Sequence, residues 1–155
     1  MNFLKSVALA AVLILSLSCT RPQAPVTDAV VDGSADELFS QLVNQLESKG
    51  FRGEEVNSGD RTLTTSFKEF ATKQLPEYAK LSEDLSRYDK GRYALKVQVS
   101  EEDGGKSKVH VEAIVEGYFR PMQATSSTYG TSDKGWKGET STGKAEGEYL
   151  ASLRN

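Results

Sequence analysis

Residues 91–100, GRYALKVQVS, and residues 109–119, VHVEAIVEGYF, decide the fold. In the first, Tyr93, Leu95, Val97 and Val99 fall on one side of an extended chain, with Arg92, Lys96 and Gln98 on the other. A period of two marks a strand with one buried and one solvated face. In the second, Val109, Val111, Ala113, Val115 and Phe119 alternate in the same way, and the glycine-rich stretch from Glu101 to Ser107 between the two runs is turn-forming. The pair predicts an antiparallel hairpin packed on one side only.

Working outward, the cluster Asn57, Ser58, Gly59, Asp60 predicts a second hairpin, between residues 51–56 and 61–67, where Leu63, Thr65 and Phe67 alternate. Upstream, Ser34 and Glu37 form a capping box, and Leu38, Phe39, Leu42, Val43 and Leu46 follow at helical spacing. A helix is expected from Ser34 to Lys49, stopped by Gly50, with Phe51 folding back on Leu46. Tyr78, Leu81, Leu85 and Tyr88 recur at three- and four-residue steps behind Pro76, as in a surface helix or an irregular excursion. The stretch from Met122 to Thr142 is rich in Ser, Thr and Gly, with a short strand expected over 123–129. Thr142 is the expected N-cap of a last helix that carries Ala145, Tyr149 and Leu153 on one face. These elements predict an α+β domain: an antiparallel sheet of four to five strands packed against N- and C-terminal helices.

The N-terminus bears on location. Lys5 precedes an apolar run, Val7 to Leu17, far shorter than the ~20 residues that span a bilayer. The chain's single cysteine, Cys19, follows immediately after Ser16, Leu17 and Ser18. This arrangement resembles the lipobox of bacterial lipoproteins, with Ser16 where that family prefers Leu. The resemblance implies cleavage after Ser18 and acylation of Cys19 with diacylglycerol and palmitate-type chains, two or more of which hold a protein stably at a bilayer. An ordinary signal peptide that leaves Cys19 as a free thiol is the alternative. Residues 1–18 then form the signal peptide, 19–33 the lipidated cysteine and a tether with Pro22 and Pro25, and 34–155 a single domain.

The domain's pattern also resembles the helix-grip domain of the BamC lipoproteins of outer-membrane β-barrel assembly. The match lies in residues 46–51, LESKGF, ahead of a hairpin, in the strands at Tyr93 and Val109, and in Gly135 and Trp136 followed by Ser141, Thr142 and Gly143 opening the last helix. It implies a helix-grip-like sheet and an outer-membrane location facing the periplasm.

Composition narrows the function. The chain holds 19 basic and 22 acidic residues, and the mild acidity argues against nucleic acid, whose binders carry basic patches. One cysteine and one histidine leave no disulfide framework and no cluster with zinc spacing, so no metal or cofactor is expected. Residues 138–145, GETSTGKA, nearly spell a phosphate-binding loop, but Ala145 stands where Mg²⁺ needs a hydroxyl; nucleotide binding is not expected. His110 reads as a solvated strand histidine, and no enzymatic constellation is present.

Ile114 and Tyr118 form an apolar pair on the wet face of their strand, beside His110, Glu112 and Glu116. Either a loop or the middle helix covers them, or they belong to a partner surface. Trp136, in a Gly/Lys loop, is a plug over the core or a contact residue, and Tyr129 is a further aromatic of interest. Ile114, Tyr118 and Trp136 are therefore the candidate partner-binding residues. The expected role is non-catalytic: a lipid-anchored protein that binds or scaffolds another envelope protein. The alternative is a carrier of a small apolar ligand or lipid in a cavity between helix and sheet.

Overall fold

The computed structural model describes residues 27–121 and 134–153. Cys19, Tyr129 and the strand expected over 123–129 lie outside them. The elements in chain order are β1 (Asp28–Asp32), α1 (Ala35–Ser48), β2 (Gly53–Asn57), β3 (Thr62–Thr65), β4 (Lys68–Ala71), α2 (Leu75–Tyr78), β5 (Ala79–Lys80), β6 (Tyr88–Glu102), β7 (Lys106–Phe119), β8 (Gly135–Ser141) and α3 (Lys144–Ala151).

The hairpin β6–β7 is the axis of the molecule. Its inward residues Leu95, Val97, Val99, Val109, Val111, Ala113 and Val115 are all buried, and outward pairs such as Lys96 with Glu112 and Gln98 with His110 face each other across the ladder. Helices α1 and α3 both pack on β6 and β7. Ala35, Leu38, Phe39, Leu42 and Leu46 of α1 are buried, as are Ala145, Tyr149 and Leu150 of α3. At the start of α1 the Ser34 hydroxyl accepts from the Glu37 amide at 3.4 Å, as the capping box requires. At its end Gly50 has a φ of 83°, and the Phe51 amide donates to the Leu46 carbonyl at 3.0 Å. That is the expected left-handed stop, and it turns Phe51 under the sheet.

The sheet has eight strands, not the four to five read from the sequence. Each long strand is long enough to take two short partners along its outer edge. β6 pairs with β3 at Lys96–Gln98 and with β4 at Lys90–Tyr93. β7 pairs with β1 at Lys106–His110 and with β8 at Val115–Phe119. The missed strands are short and polar, so their backbone ladders hold them rather than an apolar period.

Two further expectations are corrected, and an open one is decided. The tether does not run to residue 33, because β1 begins at Asp28 and buries Ala29. The stretch 61–67 is not one strand. An irregularity after Thr65 divides β3 from β4, and there the buried Thr65 hydroxyl accepts from the Leu95 amide at 2.9 Å, in place of a backbone carbonyl. Of the two readings of the middle stretch, the irregular excursion is the one that forms: the single turn of α2, followed by the two-residue strand β5 and a 3₁₀ turn at Leu85–Arg87. Asp84 accepts from the Ser86 amide at 2.9 Å, and such local side-chain bonds compete with helix propagation. Tyr78 instead stacks on Tyr93 at 5.3 Å and Tyr88 meets Phe119 edge-on at 5.7 Å, so the apolar residues of this excursion are spent on the sheet.

Candidate functional site

Neither helix covers the outer face of the sheet, and a second, smaller apolar layer lies there. Alternation along β7 puts His110, Glu112, Ile114, Glu116 and Tyr118 on that face. Ile114 is 39% exposed and Val30 of β1 is 59% exposed. Trp136 lies opposite Tyr118 in the β7–β8 register, with ring centroids 5.2 Å apart at 75°. Trp136 is therefore on a strand and half-buried, and it is a plug over the outer face, not over the main core.

Arg92 joins these rings to a third. Its guanidinium lies 3.9 Å from the Trp136 ring centroid and 4.0 Å from that of Phe67, between the two. Its Nε donates to Glu116 Oε2 at 2.7 Å. The result is a stack, Phe67, Arg92, Trp136, Tyr118, with a carboxylate at its centre. Each stacked cation contributes about 0.5–1 kcal/mol at an exposed site and more where desolvated. Lys90 lies 5.1 Å from Trp136 and is held by both oxygens of Glu69 at 2.8 Å. Phe67, Tyr118, Trp136 and Ile114 are not part of the main core cluster. Sequence reasoning found three of these residues and missed Arg92 and Phe67. A lone arginine on a polar face gives no signal until β8 brings an indole beside it.

Elsewhere on this face, His110 Nδ1 lies 2.8 Å from Asp28 Oδ1. That hydrogen bond is the main reason the Asp28 carboxyl is held below its ordinary range. No group of three His, Cys, Asp or Glu side chains suited to a metal occurs among the described residues. In the near phosphate loop, Lys144 is held by Glu77 and lies 3.6 Å from Glu148. β8, which leads into that loop, runs antiparallel to both its neighbours, whereas a phosphate-binding loop follows a parallel strand.

The opposite, helix-bearing face holds a cavity of about 330 Å³ between α3, the end of α1 and the sheet. Phe51, Tyr93, Leu95, Ala145 and Tyr149 form its walls, with Lys49, Lys68 and Glu148 at its exposed edge. Burial pushes the Tyr93 phenol up to about 12 and raises that of Tyr149 further, so both stay protonated. The Tyr149 hydroxyl is buried without a hydrogen-bond partner among the described residues. Such an orphan costs on the order of 1–3 kcal/mol. Tyr149→Phe is accordingly expected to leave the urea midpoint unchanged or raise it by the equivalent of about 1 kcal/mol. A clear fall would show that the hydroxyl has a partner after all.

No protein-family model matches the chain and no curated protein matches it, so both faces have to be read from their own chemistry.

Proposed function

We propose that this chain is a bacterial envelope lipoprotein, anchored through acylated Cys19, whose domain binds another envelope protein with the outer face of its sheet. The outer membrane, on its periplasmic side, is the location that the sequence resemblance favours. One observation carries the binding role: the stack of Phe67, Arg92, Trp136 and Tyr118, with Ile114 exposed beside it, on a face that no described helix covers. Tyr, Trp and Arg are the side chains enriched at interface centres, and rigid aromatics lose little entropy on binding. The partner that fits offers apolar or aromatic groups to Ile114 and Trp136.

The short tether limits where that partner sits. With β1 starting at Asp28, eight residues separate the fold from Cys19, and the fully extended path from Cys19 to Asp28 spans at most ~30 Å. The docking face stays close to the bilayer.

The test is photocrosslinking from position 114 in the lipidated protein within its own membranes. A discrete adduct is expected, and Trp136→Ala, read from a crosslinker at 114, should reduce it at least tenfold. The urea midpoint of Trp136→Ala should fall by no more than the equivalent of about 1.5 kcal/mol, the worth of an aromatic pair. An adduct unaffected by Trp136→Ala sinks the interface. Cys19→Ala should leave the protein uncleaved or unanchored, and a variant still cut after Ser18 and still sedimenting with membranes would refute the anchor.

A further inference from the structure

We infer that the helix-side cavity is a second binding site, independent of the docking face, and that it takes a small monocarboxylate with a compact apolar body.

The walls supply the apolar half of this preference. Phe51 and Tyr93 lie 5.9 Å apart at 52°, and with Leu95, Ala145 and the Tyr149 ring they line the cavity. Its volume of about 330 Å³ is at the low end of the ~300–1,000 Å³ typical of small-molecule sites. That suits one or two fused rings or a short alkyl chain, not a two-chain lipid.

The mouth supplies the charge. Lys49 Nζ lies 5.8 Å from the Tyr149 ring centroid and Lys68 Nζ lies 5.4 Å from that of Phe51, so both cations lean over the aromatic walls. Neither lysine has an ion-pair partner among the described residues; Lys73, Lys80, Lys96, Lys106 and Lys134 have none either, but Lys49 and Lys68 are the two that edge this cavity. Glu148, the one carboxylate at the rim, is already engaged: it lies 3.6 Å from Lys144 Nζ and accepts from the Tyr78 hydroxyl at 3.4 Å. Because both phenols stay protonated, the walls add no negative charge. Two unpaired ammonium groups over an apolar cavity call for a ligand whose anionic head accepts hydrogen bonds at the mouth while its body fills the interior.

The body is either aromatic or aliphatic, and calorimetry with two probes separates them. Mature lipidated protein in nanodiscs, blanked against empty nanodiscs, is titrated with 1-naphthoate, with octanoate, and with the corresponding neutral alcohols. Saturable one-site binding of at least one carboxylate is expected, at least tenfold tighter than its alcohol. Whichever of the two binds more tightly identifies the body. Lys49→Gln with Lys68→Gln, both at exposed positions, should weaken that carboxylate at least tenfold while leaving the urea midpoint in place. Trp136→Ala should leave it unchanged, so failure here is distinct from failure of the docking face. No saturable binding of either carboxylate, equal affinity for acid and alcohol, or indifference to the paired lysine substitution would each overturn the proposal.

Discussion

Glu146→Leu is expected to lower the unfolding free energy by about 3 kcal/mol, because it strands a buried amide and removes a charge-assisted hydrogen bond. The reason lies in the divided edge of β7. β1 covers that edge at Lys106–His110, and the Val111 amide still reaches the Thr27 carbonyl at 2.7 Å. β8 takes over at Val115. Ala113, between them, presents its amide to the same edge with no strand beside it among the described residues. Glu146, reaching down from α3 and only 3% exposed, fills the gap: Oε1 accepts from the Ala113 amide at 3.1 Å and Oε2 from the Ser141 hydroxyl at 2.9 Å. Leu matches the bulk but accepts nothing. Removing a buried carboxylate does return its desolvation cost, and replacement of buried charges by apolar groups is sometimes neutral. Here the amide that remains cannot be deleted, so the loss dominates. Glu146→Gln keeps one acceptor for Ala113 and should cost about 1 kcal/mol, the charge-assisted share. Urea unfolding measures both variants, and hydrogen exchange at the Ala113 amide locates the effect. A Leu variant within 0.5 kcal/mol of the parent would mean that another group caps this edge.

Gly117→Ala carries the second large effect, about 2–3 kcal/mol from overpacking. Gly117 and Gly91 face each other across β6–β7, and a Cβ built on Gly117 would stand 2.5 Å from Tyr88 Cδ1 and 3.1 Å from Leu75 Cδ2. Tyr88 has little room to yield, since its ring meets Phe119 at 5.7 Å and its hydroxyl is bonded to Glu139. At Gly91 a Cβ would press on Phe70 and come within 2.8 Å of Leu75 Cδ1. The two glycines thus open a window in the sheet, into which the fully buried Leu75 inserts. Both substitutions push on Leu75, so the double variant should lose less than the sum of the single losses, as expected for sites that share a neighbour. Strict additivity in urea unfolding, or a Gly117→Ala loss below 0.5 kcal/mol, would contradict the shared window.

Several elements were legible in the chain because their signals are local. The alternation from Tyr93 to Val99 and from Val109 to Val115 determined the central hairpin and its buried face. Ser34, Glu37, Gly50 and Phe51 determined α1 with both its ends. The outward position of Ile114 and Tyr118 follows from the same alternation, so two of the five residues of the candidate site could be placed from sequence too. The stretch through Tyr78, Leu81, Leu85 and Tyr88, which the sequence leaves open between a surface helix and an irregular excursion, shows the limit of such reading. Its spacing is helical, but stacking of Tyr78 on Tyr93 and pairing of β5 with β8 bury those side chains in another way, and tertiary packing outweighs a weak local preference.

What only the tertiary structure decided is the rest of the sheet and the surroundings of the sites. β1, β4, β5 and β8 carry little apolar period, and each is fixed by ladder bonds to a strand far away in sequence. Trp136 reads as a loop residue until β8 pairs with β7 and sets it beside Tyr118 and Arg92. The need for Glu146 arises only because β1 and β8 leave a gap between them on one edge. The cavity depends on Lys49, Lys68, Tyr93 and Tyr149 meeting from four separate elements. A sequence records what each residue prefers along its own strand or helix, whereas these features depend on which unpaired backbone groups and side chains the fold brings together.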